Sequence, residues 1–91
     1  MRSPDSRRPL LTLYTRPGCG LCRRVERVLA QLEAEGLAEW QLVNIESDPE
    51  LLADLKERIP VLDVEGGPRF EGRISEYRLR RVLATWREEP I

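Results

Sequence analysis

Apolar and polar residues alternate along the chain in a way that marks out seven elements. Leu10-Leu11-Thr12-Leu13-Tyr14 is a short β-capable run closed by Pro17-Gly18, which predicts a buried strand. From Cys19 onward, Leu21, Val25, Val28, Leu29 and Leu32 recur at steps of three and four, one face of a helix. Arg23, Arg24, Arg27 and Glu35 fall on its wet face, and Gly36 is placed to end it. Trp40–Ile45 reads as a second strand, with Trp40 and Leu42 on one face and Val43 and Ile45 on the other. Apolar residues on both faces predict an internal strand. Ser47-Asp48-Pro49-Glu50 then has the form of a helix start, with Leu51, Leu52 and Leu55 as its apolar stripe. That helix must stop before Pro60, because the residue preceding a proline avoids helical backbone angles. Val61–Val64 and Arg69–Gly72 flank the turn Glu65-Gly66-Gly67-Pro68 and read as a hairpin. Ser75 caps a last helix with the stripe Leu79, Val82, Leu83 and Trp86.

The resulting order, β-α-β-α-β-β-α, predicts an α/β fold. The first β-α-β unit should be a right-handed crossover between parallel strands, with the hairpin added antiparallel. Helices then cover both faces of one four-stranded mixed sheet. The 91 residues suffice for one domain. Met1–Pro9, without periodicity, is expected as a flexible leader, and residues 10–91 as the domain.

Charge and composition remove whole classes of function. Fifteen basic residues against sixteen acidic ones give a net charge of −1, which argues against a general nucleic-acid binder. No apolar run approaches the roughly 18 residues of a membrane span, and Leu10–Tyr14 is too short for a signal-peptide core. A cytoplasmic monomer is therefore expected. The chain has no histidine, so it has no imidazole base, no imidazole ligand and no Cys–His pair. Two cysteines cannot build a four-thiolate zinc site within one chain, and no metal ligands are assigned. Trp40 and Trp86 read as packing groups. Arg78, Arg80, Arg81 and Arg87 read as a solvated helix face, with a phosphate or partner patch as the other reading.

What remains is Cys19-Gly20-Leu21-Cys22 at the junction of the first strand and first helix. A cysteine at a helix start meets unpaired backbone N–H groups and the positive end of the helix dipole, both of which favour a thiolate. Arg16, Arg23 and Arg24 add positive potential nearby. The spacing lets the two thiols close a disulfide with little backbone change. Cys19, at the tip, is the expected nucleophile. Cys22, one turn inside, is the expected resolving thiol. Gly20 sets the turn, and Leu21 forms an apolar lip. Two other readings stand beside this one: a structural disulfide, and half of a zinc site completed by a second chain. The first is disfavoured by the short loop, which gains little chain-entropy stabilisation. The strand–turn–helix context favours redox chemistry over both.

With these pieces in place the chain resembles the glutaredoxin-like family, in particular short bacterial members with a CxxC site. The resemblance is carried by Leu11-Thr12-Leu13-Tyr14-Thr15-Arg16-Pro17-Gly18-Cys19-Gly20-Leu21-Cys22, by Val43-Asn44-Ile45-Glu46-Ser47-Asp48-Pro49-Glu50-Leu51, by Ile59-Pro60-Val61-Leu62 and by Phe70-Glu71-Gly72. It implies a thioredoxin-like fold, a dithiol mechanism on protein or small-molecule disulfides, and no bound cofactor. Electrons would come from glutathione or a thioredoxin-type reductase. Ile59-Pro60 resembles the cis-proline loop that faces the cysteines in such folds, where the backbone of Ile59 would pair with an extended substrate; the plain alternative is a proline opening a strand. Arg16 and Ile59-Pro60 match two positions of the glutathione site, so Arg16, Ile59 and Pro60 are the implied substrate-binding residues. Gly72-Arg73-Ile74-Ser75-Glu76 departs from the third, keeping one glycine and lacking the family's Asp pair. The implied partners are a disulfide-bearing substrate and a redox partner protein, with neither nucleic acid nor membrane. A non-catalytic binding or redox-sensing module is the alternative function, and metal carriage through two chains a third.

Overall fold

The computed structural model describes residues 7–86. Strand β1 (Leu10–Thr15) leads into helix α1 (Gly20–Ala34), followed by β2 (Glu39–Asn44), a single 3₁₀ turn (Ile45–Ser47), α2 (Pro49–Leu55), β3 (Val61–Val64), β4 (Arg69–Glu71) and α3 (Glu76–Thr85). The strands form one sheet in the order β2-β1-β3-β4. β1 runs parallel to β2 and antiparallel to β3, and β3–β4 is an antiparallel hairpin. The expected α/β architecture with a mixed sheet is the observed one.

Strand parity sorts the core into two layers. Leu11, Leu13, Leu62 and Val64 point to one face, where Val25, Leu29 and Leu32 of α1 and Leu79 and Leu83 of α3 meet them. Val61 and Tyr14 point to the other, where Ile45, Leu51, Leu52, Leu55 and Ile59 gather under α2. Each helix start is capped as its sequence requires. The Asp48 carboxylate accepts from the Glu50 N–H at 2.9 Å, and the Ser75 hydroxyl from the Arg78 N–H at 3.2 Å.

Two expectations need correction. β2 lies at the edge of the sheet, not inside it, and Leu42 is 48% exposed. Its apolar pattern arises because Trp40 reaches the α1 layer, while Ile45 leaves the strand altogether. Asn44 turns the chain there: its side-chain oxygen accepts from the Glu46 N–H at 2.9 Å, and Ile45 drops beneath α2. The second correction concerns α1, whose buried stripe is Cys22, Val25, Leu29 and Leu32, with Leu21 left 44% exposed. Residues 20 and 21 precede the point where the helix meets the sheet, so the stripe starts one residue later than periodicity alone places it.

Of the expected leader, residues 1–6 lie outside the described residues, as does Arg87. Residues 7–9 run along the sheet: Pro9 is buried, its carbonyl accepts from the Glu39 N–H at 3.0 Å, and Arg7 pairs with Glu65. At the other end, the Trp86 indole N–H donates to the Glu65 carbonyl at 2.7 Å and ties the end of α3 to the hairpin turn. No helix among the described residues is long and apolar enough to cross a membrane.

Candidate active site

β1 ends at Thr15, and Arg16-Pro17-Gly18 turns the chain into α1. Gly18 has φ +84°, a left-handed conformation that costs other residues roughly 1–2 kcal/mol, so glycine suits this turn. Cys19 follows with extended backbone as the N-cap of α1. Its Sγ accepts from the Cys22 backbone N–H at 3.1 Å, the position a serine or aspartate oxygen takes in an ordinary cap. Cys19 and Cys22 are joined in a disulfide across a Cα–Cα distance of 5.2 Å. Cys22 is fully buried, and Cys19 is partly exposed at the helix tip.

The remaining candidates assemble around this tip unequally. Arg16 lines a depression of about 360 Å³ together with Gly18, Cys19, Arg23 and Leu42. Its guanidinium is engaged by Glu46, with Nη2 2.9 Å from Oε2, so it faces the cysteine as half of an ion pair. The Ile59–Pro60 peptide bond is cis. The pairing of Tyr14 with Val61 sets Pro60 at the end of β3 level with Thr15, the end from which the Cys19 loop departs. The Pro60 carbonyl accepts from the Gly72 N–H at 2.8 Å, which brings the residue after β4 to the same end. The Ile59 N–H donates to the Leu55 carbonyl at 3.1 Å. Of the two Ile59 backbone groups expected to serve a substrate, the N–H is therefore taken by α2. The carbonyl accepts no hydrogen bond among the described residues.

Two features escape a reading of the sequence. On the α2 face, Arg69 pairs with Asp63 across β3–β4, Nε to Oδ1 at 2.6 Å, and lies 5.9 Å from the centre of the Tyr14 ring. The Arg69 guanidinium holds the Asp63 carboxyl below its usual range. The second is a groove of about 540 Å³ that begins at Leu21, inside the cysteine motif, and runs between α1 and Gly72–Glu76. Its α1 wall could be suspected from the helical spacing of Leu21, Arg24, Val28 and Gln31. Its other wall depends on tertiary packing. Among the described residues no three Cys, Asp or Glu gather as metal ligands.

A helix-tip disulfide on a four-stranded mixed sheet with helices on both faces defines a protein of thioredoxin-like fold. The chain belongs to the family described as Glutaredoxin-like domain (DUF836), whose model matches residues 10–84. Uncharacterized proteins of Mycobacterium tuberculosis and Mycobacterium bovis are 32% identical over 82 residues, covering 85% of this chain and 84% of theirs. The X-ray structure of target protein XcR50 from X. campestris superposes with a TM-score of 0.69 at 33% identity, over 84% of this chain and 97% of that one.

Proposed function

We propose that this protein is a thiol–disulfide oxidoreductase that reduces protein or small-molecule disulfides through Cys19 and Cys22. The observation that carries the reading is the placement of the Cys19 Sγ at the α1 N-cap, 3.1 Å from the Cys22 N–H, with Cys22 buried directly behind it. In the reduced protein the same N–H and the helix dipole stabilise a thiolate on Cys19.

The Cys19 thiolate attacks one sulfur of the substrate disulfide. One substrate thiolate leaves and takes up a proton, and Cys19 is held in a mixed disulfide. Cys22 then loses its proton and attacks the Cys19 Sγ, releasing the second substrate thiol. Two electrons pass to the substrate, and the protein is left with the Cys19–Cys22 disulfide. An external dithiol, glutathione or a reductase of the thioredoxin type restores the thiols. The cytoplasm, where such reductants keep thiols reduced, is the compartment this chemistry suits. Ile59 and Pro60 would guide the substrate strand through the Ile59 carbonyl, and Arg16 would offer charge beside Cys19.

The test is catalytic turnover. With excess dithiothreitol, the protein should accelerate reduction of a disulfide-bonded protein, and Cys19→Ser should abolish the acceleration. A wild-type protein that cycles between dithiol and disulfide but accelerates nothing would instead be a redox-sensing module.

A further inference from the structure

The groove beside the cysteines is cationic in a chain whose net charge is −1. Arg24, Arg27 and Arg73 line it, and none of the three has an ion-pair or hydrogen-bond partner among the described residues. Outside the groove Arg16 pairs with Glu46, Arg58 with Glu71, Arg69 with Asp63 and Arg80 with Glu35. Arg23 and Arg78 stand exposed there, their side chains unpaired among the described residues, but the two share no groove with one another. The one carboxylate on the groove, Glu76, already accepts from the Arg80 Nε at 2.8 Å. Half-buried Val28 and Ile74, together with exposed Leu21, provide an apolar surface between the charges.

Leu21 and Gln31 mark the ends of the α1 wall, which at 1.5 Å per residue is about 15 Å long. That matches about four or five residues of extended chain at roughly 3.3 Å each. Free unpaired guanidinium groups suit carboxylates, while a free amino group would find only the occupied Glu76.

We infer that this groove receives an acidic segment of the substrate protein, lying within about five residues of the cysteine that meets Cys19. The inference rests on the redox reading above and names its substrate class. Carboxylates along the segment pair with Arg24, Arg27 and Arg73, and this docking holds the target disulfide at the α1 tip.

Two disulfide-bridged peptides test it, one with glutamates flanking a cysteine and one with glutamines in their place. The pre-reduced protein should reduce the glutamate peptide about tenfold faster at low ionic strength. The preference should fall to within about twofold in about 0.5 M NaCl, where the screening length is about 4 Å. In the Arg24→Gln/Arg27→Gln double variant the ratio of the two rates should approach one, and in Arg81→Gln it should stay at the wild-type value. Equal rates in the wild type, a preference that survives the double variant, or oxidised glutathione reduced as fast as the glutamate peptide would each overturn the proposal. The salt series decides the matter even if the double variant does not fold. Failure to reduce either peptide would defeat the redox reading alone, and anisotropy of the labelled glutamate peptide on the oxidised protein would then judge the groove separately.

Discussion

The Cys22 backbone N–H donates to the Cys19 Sγ across 3.1 Å, so the sulfur proposed as the nucleophile is also the N-cap acceptor of α1. Any negative charge on Cys19 is met by a donor that the first turn of α1 holds in place. Cys22, fully buried, has no such exposure to solvent.

Cys19 should therefore be the thiol that reacts first. Alkylation of the reduced protein at about pH 5.5, where ordinary thiols near 8.5 are scarcely ionised, should label Cys19 ahead of Cys22. Cys22→Ser should trap a mixed disulfide with substrate, visible by mass spectrometry. Labelling of Cys22 first would reverse the assigned roles.

Glutathione should be a poor partner. The rim at Gly72–Glu76 offers the unpaired Arg73, a Ser75 hydroxyl accepting from Arg78 and a Glu76 held by Arg80. None of these is a carboxylate free to take an ammonium group. A missing charge-assisted bond of about 1.5–3 kcal/mol corresponds to affinity about ten- to a hundredfold lower. A glutathione-coupled mixed-disulfide assay should show a correspondingly high KM, and saturation in the range of ordinary glutaredoxins would falsify the expectation.

Acid stability should depend on Glu35. Its carboxylate bridges α1 to α3 through Arg80, with contacts of 2.7 and 2.9 Å, and this pairing lowers its pKa from 4.5 to about 2. A depressed carboxylate pKa means the folded state binds fewer protons, so the pair stabilises above about pH 4.5 and its contribution disappears as the pH falls towards 2. Glu35→Gln should lower the Tm at neutral pH, and the two curves should converge through that window. Because the pair is exposed, added salt should shrink the difference. Curves that stay parallel down to pH 2 would show that the pair contributes nothing to stability.

Leu13 and Leu42 should respond to very different degrees to the same truncation, although they pair across β1–β2. Leu13 is fully buried, so Leu13→Ala should cost about 2–5 kcal/mol. Leu42 is 48% exposed at the edge, and Leu42→Ala should cost about 0.5 kcal/mol or less. Urea denaturation of both variants measures the contrast.

Much of this was legible in the chain because proline and glycine punctuate it. Pro17-Gly18 ends β1 where the cysteines begin, Pro49 opens α2, and Pro60 separates α2 from β3. The cap residues Asp48 and Ser75 also act as their types imply. The edge position of β2 was not legible, since two apolar faces look alike whether a neighbouring strand is present or a chain bend carries Ile45 away. The occupation of the Ile59 N–H by the Leu55 carbonyl depends on how α2 ends. The approach of Arg73 to Arg24 and Arg27 joins residues far apart in sequence, which only packing brings together.

The cross-link joins Cys19 to Cys22 at the very start of α1, and the two apolar layers of the sheet are built from other side chains. Cys22 is buried at the head of the α1 stripe, but the hydrophobic contacts of those two layers do not run through the sulfur–sulfur bond. In the proposed cycle, therefore, neither leg requires those two layers to be rebuilt.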